Sequence, residues 1–495
     1  MKKNIIYPVA AVLLGLSACG HDDDDDNSNS ASALDNELRA LIDTHDLIGD
    51  PTEGLEFAQI ESSIAQLGMK LFFSKALGGA EDAACASCHH PMLGGGDALS
   101  LPIGVDAVQP DLLGPGRTHQ TDAEGFDGGP TVPRNSPTTF NMALWQQKIF
   151  WDGRIEKQDN GVRTPDSAFG SADPAALDLV SAQARFPVTS HEEMRGFEFE
   201  DGNDNDAVRD HLAARLGDFG VGAGELTTNT WVQEFEDHFG PEANVEDLVT
   251  YENISVAIAA YERSQVFVDT PWKDYVDGDN DAISDSAKSG AVAFFTTAAE
   301  GGAGCFDCHS GDFFTDEGFH VTAMPQVGRG KGDGGTADND FGRFRETGVD
   351  ADRFAFRTPS LLNVTATGPW GHAGSFTSLE ALVRYHINPA VAFESYDYDQ
   401  LDATIQITNT DANTRAALAQ LETLQTAETS KLNIITDLSD TALDTMVTNL
   451  LAFLETLTDP CVLDRECLAP WIPDDETDDP DGMRLDPIDQ NGDPL

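Results

Sequence analysis

Cys85-Ala86-Ser87-Cys88-His89 constrains this chain more than any other stretch. In an exported protein a C-x-x-C-H anchors a c-type haem through two thioethers and offers its histidine to the iron. Two thiols three positions apart fit on one turn of backbone, so both reach one edge of a porphyrin while the next side chain projects toward its centre. Cys305-Phe306-Asp307-Cys308-His309 repeats the arrangement. A disulfide or a zinc half-site also uses paired cysteines, but zinc needs ligands from two pairs, and here each pair brings its own histidine. The expectation is two covalent c-type haems, with His89 and His309 as axial ligands.

The ends of the chain say where such a protein would work. Lys2 and Lys3 precede the apolar run Ile5 to Leu16, and Leu16-Ser17-Ala18-Cys19 has the small residues and terminal cysteine of a bacterial lipoprotein cleavage site. An ordinary cleaved signal peptide is the simpler reading of the same stretch. We read residues 1–18 as a lipoprotein signal and 19–33 as a polar tether, with the protein in the periplasm, lipid-anchored through Cys19 to the envelope membrane. In that oxidising compartment Cys461 and Cys467 are expected to form a disulfide. The net charge of −57, from 86 acidic and 29 basic residues, makes nucleic acid and anionic membrane surfaces poor partners. Those acids are spread along the chain, so they fit a salt-adapted surface as well as a basic electron donor.

At 495 residues the chain is long enough for several cores. Ile64, Leu67, Leu71 and Phe72 have helical spacing and lead through a loop to Cys85. Gly68 lies four residues before Phe72, as Gly290 does before Phe294, ahead of the second motif. A helix that feeds a haem-attachment turn twice signals internal duplication. The predicted fold is therefore mainly α, with two cytochrome c-like domains, each holding one covalent haem. Residues 34–270 form the first, with a helix over Glu252 to Val266, and 282–458 the second, with an amphipathic helix over Asp440 to Thr456. Between them, 271–281 is expected as a linker, and 459–495 as an acidic tail that is irregular beyond Cys467. The segment 94–137 reads as an irregular loop, 155–179 as an inserted surface loop and 328–342 as a flexible glycine-rich stretch.

Beyond the haem motifs, Arg134-Asn135-Ser136-Pro137-Thr138, Phe150-Trp151-Asp152-Gly153-Arg154 and Phe356-Arg357-Thr358-Pro359-Ser360-Leu361 resemble the bacterial dihaem cytochrome c peroxidase family, which includes MauG. The resemblance runs from about Leu67 to Phe453. It implies that His89 serves a peroxidatic haem and His309 an electron-transfer haem. It places Glu193 as the acid-base residue, assisted by Gln183 ten residues earlier, and Trp151 between the haems as an electron carrier. The chemistry suits the assignment, because splitting an O–O bond requires moving a proton from one oxygen to the other, and a carboxylate shielded from water can carry it. Glu192 is the rival acid. The same resemblance implies a calcium ion held by Asn135, Thr367 and Pro369, oxygen donors suited to a hard cation. It also places His372 near the second haem.

Two departures stand out. Where reductively activated relatives carry a distal histidine, after Ile103-Gly104, this chain has Val105, which cannot ligate iron. The peroxidatic iron would then keep an open sixth site unless His119 fills it. At the second haem, Leu379, Leu382, Val383 and His386 share one helix face, so His386 stands where the family's methionine would, with Tyr385 as the rival. The function that follows is reduction of hydrogen peroxide to water, with electrons from a small redox protein such as a cytochrome c or cupredoxin. The alternatives are a MauG-like oxidase acting on a protein or small molecule, and a non-catalytic electron-transfer cytochrome. The resemblance also allows a homodimer.

Overall fold

The computed structural model describes residues 32–473 and 479–495. Residues 1–18, Cys19 and most of the tether lie outside that range. The described chain is predominantly helical with few strands. Six helices position the site: α1 (Ala33–Thr44), α2 (Ser63–Phe73), α3 (Tyr251–Ser264), α4 (Asp285–Phe295), α5 (Leu379–Ile387) and α6 (Asp440–Glu455). The intervening segments carry an antiparallel sheet of β1 (Lys148–Ile149), β2 (Ile155–Gln158) and β3 (Gly161–Arg163), and a pair of strands, β4 (Phe319–His320) and β5 (Phe356–Arg357). Ile149 lies opposite Ile155, and Phe319 opposite Arg357. Among the described residues, no helix is long and apolar enough to cross a membrane.

Hydroxyl caps start all six of these helices, Ser32 and Ser378 capping α1 and α5. The side chains of Ser62, Thr250, Ser284 and Ser439 accept the N–H groups of Ala65, Asn253, Ala287 and Ala442, which would otherwise lack partners in the first turn. The helices then cross in two matching pairs. On α2, a Cβ at Gly68 would stand 1.9 Å from the carbonyl oxygen of Ala257 on α3, and on α4 a Cβ at Gly290 would stand 1.9 Å from that of Asn449 on α6. One turn further, Phe72 packs on Tyr261 with ring centroids 4.9 Å apart, and Phe294 on Phe453 at 5.2 Å. Each glycine lets two backbones touch, and each aromatic pair fills the space beside the contact. Gly290→Ala is expected to cost about 1–3 kcal/mol, the usual penalty for overpacking a filled contact. Urea unfolding would show it as a lower midpoint at unchanged slope.

Each crossing centres a core. Leu67, Phe72, Trp231, Phe235, Ile254 and Tyr261 belong to the first, and Trp272, Phe294, Phe295, Phe314 and Phe453 to the second. The ends of the chain are exchanged between them. Leu38 and Ile42 of α1 lie in the second core, where Lys288 Nζ of α4 sits 2.8 Å from Asp35 Oδ1. At the other end, Leu485 is buried in the first core. There Asp481 Oδ2 accepts from Ser74 Oγ at 2.7 Å and from the indole of Trp231 at 2.8 Å. Cys461 and Cys467 are joined by a disulfide.

Two segments differ from expectation. The stretch read as a linker contains a helix, Pro271–Asp277, whose Trp272 and Tyr275 are buried in the second core. The stretch read as a surface loop contains the β2–β3 hairpin, with Ile155 and Val162 buried beneath it. In both, a few large apolar side chains outweigh a polar local composition.

Candidate functional site

His89 follows the tight turn Cys85–Ser87, which is held by the Ala84 N–H donating to Ser87 Oγ at 3.0 Å and the His89 N–H donating to the Cys85 carbonyl at 3.1 Å. Its Nδ1 lies 3.1 Å from the Gly95 carbonyl, which can only accept, so Nδ1 carries the hydrogen and Nε2 keeps its lone pair. His309 is set the same way, with Nδ1 3.1 Å from the Phe314 carbonyl. Burial lowers the pKa of both rings, that of His309 to about 4, which keeps the imidazoles neutral as ligation requires. Burial pushes the thiols of Cys85, Cys305 and Cys308 up to about 12, and that of Cys88 higher, so they stay protonated, unlike thiolate metal ligands.

Both motifs open on one central cavity of about 360 Å³. Glu193, Gln183 and Trp151 line it, as do His386, His372, Asn135, Thr367 and Pro369. Residues far apart in sequence, chosen one by one, are thus brought to a single wall.

Glu193 lies on the π-type turn His191–Arg195, of the sort that often marks functional sites. The turn is pressed onto Gly104, where a Cβ would stand 2.3 Å from the Glu193 carbonyl and 2.4 Å from that of Glu192. Burial raises the Glu193 carboxyl, while Arg154 and Lys331 partly oppose it. Gln183 ends the helix Leu179–Gln183, and its Oε1 is buried with no hydrogen-bond partner among the described residues. Glu192, the rival acid, lines a separate polar cavity that shares only Pro133 and Lys331 with the central one. Val105 and His119 do not line the central cavity. Val105 is fully buried, and His119 places Nδ1 2.8 Å from the Gln120 carbonyl and stacks on Phe126.

At the second motif, His386 lies in the last turn of α5, with Nδ1 3.0 Å from the Leu382 carbonyl. It lies near enough to His309 to help lower that ring's pKa. Tyr385 is 1% exposed and off the cavity, donating to the Ala323 carbonyl at 2.5 Å. His372 stacks on Phe356 at 3.7 Å, and its carbonyl accepts the Asn135 N–H at 2.9 Å.

Trp151 lines the cavity and donates its indole N–H to the Asn135 carbonyl at 2.9 Å. A buried ion cluster holds this region: Arg134 reaches Asp152 Oδ2 at 2.5 Å and Asp340 Oδ2 at 2.6 Å. The amide of Asn135 donates to the carbonyls of Leu99 and Ser100, leaving Oδ1 without a hydrogen bond among the described residues. Thr367 and Pro369 line the same cavity.

Sequence reasoning missed Lys331, Asp340 and Glu262, and gave Arg357 no role although it sits within a quoted motif. Arg357 lies 3.5 Å from the Trp145 ring centroid, and burial lowers its pKa to about 9. Lys331 carried one signal, a cation in a glycine-rich loop of a very acidic chain.

The family profile described as "Di-haem cytochrome c peroxidase" matches residues 62–281. The chain is 29% identical over 366 residues to the methylamine utilization protein MauG of Methylorubrum extorquens, covering 72% of this chain and 77% of that one. It is 27% identical over 384 residues to the cytochrome c551 peroxidase of Pseudomonas aeruginosa, covering 77% and 85%. The chain is thus similar to di-haem cytochrome c peroxidases and to MauG. Members of that family are oxidoreductases, and the family implies two haems. Solved structures share the fold. A MauG-like protein associated with microbial copper homeostasis has a TM-score of 0.52 at 20% identity, over 84% of this chain and 96% of that one. The diheme peroxidase BthA from Burkholderia thailandensis has a TM-score of 0.50 at 20% identity, over 84% and 90%. The paired motifs and the shared cavity fit that family's two haems.

Proposed function

We propose that this protein is a dihaem c-type peroxidase that reduces hydrogen peroxide to water with electrons from a small redox protein. The observation that carries the reading is the shared placement of Glu193 and Gln183 on the cavity wall with His89, while Val105 and His119 stay away from it. Cys85, Cys88 and His89 would hold the peroxidatic haem, and Cys305, Cys308 and His309 the electron-transfer haem, with His386 as that haem's sixth ligand. Bound there, haem iron supplies the redox chemistry. Glu193 takes the proton from the near oxygen of peroxide and returns it to the leaving oxygen. Gln183 Oε1, with no partner among the described residues, accepts a hydrogen bond from the peroxide and orients it. Trp151 carries electrons between the two sites, and the calcium ion at Asn135, Thr367 and Pro369 stiffens the wall between them.

Each helix crossing would carry one cytochrome c-like unit, within 34–270 and 282–458, and the lipid at Cys19 would hold the protein in the periplasm, as a monomer or a homodimer. A MauG-like oxidase would use the same wall on another substrate. The cavity position of His386, with Tyr385 turned away, favours the peroxidase, because MauG-type proteins resembling this chain use tyrosine there.

Low-temperature EPR of the oxidised holoprotein tests the reading. One high-spin and one low-spin signal are expected, with rapid turnover of peroxide and no prior reduction. The low-spin haem's potential should rise in His386→Met, because methionine ligation raises it. Two low-spin signals would contradict the open site.

A further inference from the structure

Among the described residues that line the central cavity, the carboxyls belong to Glu193 and Glu262, and the proposed chemistry uses only the first. Glu262 lies on α3, is 2% exposed, and its Oε2 has no hydrogen-bond partner among the described residues. The internal repeat shows that the architecture does not require an acid there. Ala257 and Tyr261 pack on Gly68 and Phe72 as Asn449 and Phe453 pack on Gly290 and Phe294. Counted from these anchors, Ile258 matches Leu450 and Glu262 matches Leu454, and all four line the cavity. The second half of the molecule thus fills the same place with leucine. An unpartnered carboxylate is costly to bury, and it avoids the cost by holding a proton. Burial accordingly pushes Glu262 up to about 8, with Arg263 opposing and Asp178 adding. Arg263 and Asp178 pair with each other toward solvent. The other ionisable groups near Glu262 are Cys85 and Tyr261, both buried.

We propose that Glu262 is a redox-linked proton site of the first haem. Above the pH at which Glu262 ionises in the oxidised protein, its carboxylate binds a proton from solvent when the iron held by His89 gains an electron from the donor, and it releases that proton on oxidation. The added electron makes the cavity more negative, which favours the neutral acid, so one proton compensates one electron. The inference rests on the haem assignment proposed above.

Spectroelectrochemical titration of the holoprotein between about pH 6 and pH 10, following each haem by its own spectrum, tests it. The first haem's potential is expected to fall with rising pH, by up to about 59 mV per pH unit, the one-electron equivalent of a tenfold change. Glu262→Gln and Glu262→Leu, the latter borrowing the residue of the second half, should both flatten that slope. The second haem's titration should be unchanged, which also reports that the fold is intact. A wild-type potential independent of pH, or a slope that survives both variants, overturns the proposal. Failure of the haem assignment would look different, as a matured protein lacking one of the two c-type spectra.

Discussion

Glu193→Gln is expected to lower peroxide turnover by about a hundredfold to ten-thousandfold, the usual range for loss of a general acid-base, with both haems still attached. Glutamine keeps the shape and the hydrogen-bonding reach of the carboxyl but cannot take the proton. The backbone has little freedom to compensate, because the His191–Arg195 turn rests directly on Gly104. Glu192→Gln is the matched control: it removes an adjacent acid that faces the other cavity, and near-normal turnover is expected. The pH profile adds a second readout. Burial raises Glu193 despite Arg154 and Lys331, so the ionised base should be lost as pH falls through a value above the ordinary carboxylate range. Wild-type activity should therefore show an acid limb there, and the variant should lack it. Unchanged turnover in Glu193→Gln would remove this residue from the mechanism.

Arg134→Met is expected to destabilise the protein by about 3–5 kcal/mol, the cost of stranding buried charges, while methionine keeps most of the side-chain length. Arg134 is 7% exposed, Asp152 3% and Asp340 2%. The guanidinium binds Asp340 through two nitrogens, at 2.6 and 2.9 Å, and Asp152 through a third. It thereby ties the Arg134–Pro137 segment and the Trp151 turn to the glycine-rich loop that carries Lys331. Arg134 holds both carboxyls below the usual range, although burial alone would raise them. The stability they contribute is complete above the ordinary carboxylate range and disappears as the pH falls through their depressed values. Without Arg134, burial dominates and protonation relieves the charge, so the gap between variant and wild type should narrow on acidification. Urea unfolding across an acid pH series measures this directly, and equal stability at neutral pH would show that the cluster is dispensable.

Several parts of the molecule were legible because their determinants are local. Two cysteines and a histidine at fixed offsets define a covalent geometry wherever the chain places them. Gly68 with Phe72, and Gly290 with Phe294, mark a duplicated helix before either partner helix is known. The apolar spacing of Leu379, Leu382 and Val383 puts His386 on the face that lines the cavity and turns Tyr385 off that face into a second buried contact, since a helix advances about 100° per residue. Glu192 and Glu193, by contrast, are neighbours in an acidic chain, and only the turn against Gly104 decides which of them meets the cavity.

Long-range packing decided the rest. Nothing near residue 38 says that α1 belongs with the second core, and nothing in the acidic tail says that Leu485 returns to the first. Such choices depend on which apolar surface is left uncovered once the helices have crossed, a property of the assembled fold. Glu262 shows the same limit. In sequence it is an ordinary glutamate beside an arginine, and helical spacing alone leaves it free to face solvent. The crossing of α3 over α2 turns it inward, to the place that leucine fills in the other half. Sequence by itself determined the haem motifs and the duplicated helix signal, because bond geometry and helical period act over a few residues, while the acid-base candidates came from the family resemblance. The shared cavity, the exchanged chain ends and the buried carboxyl at Glu262 were decided by tertiary structure, because burial depends on contacts between residues hundreds of positions apart.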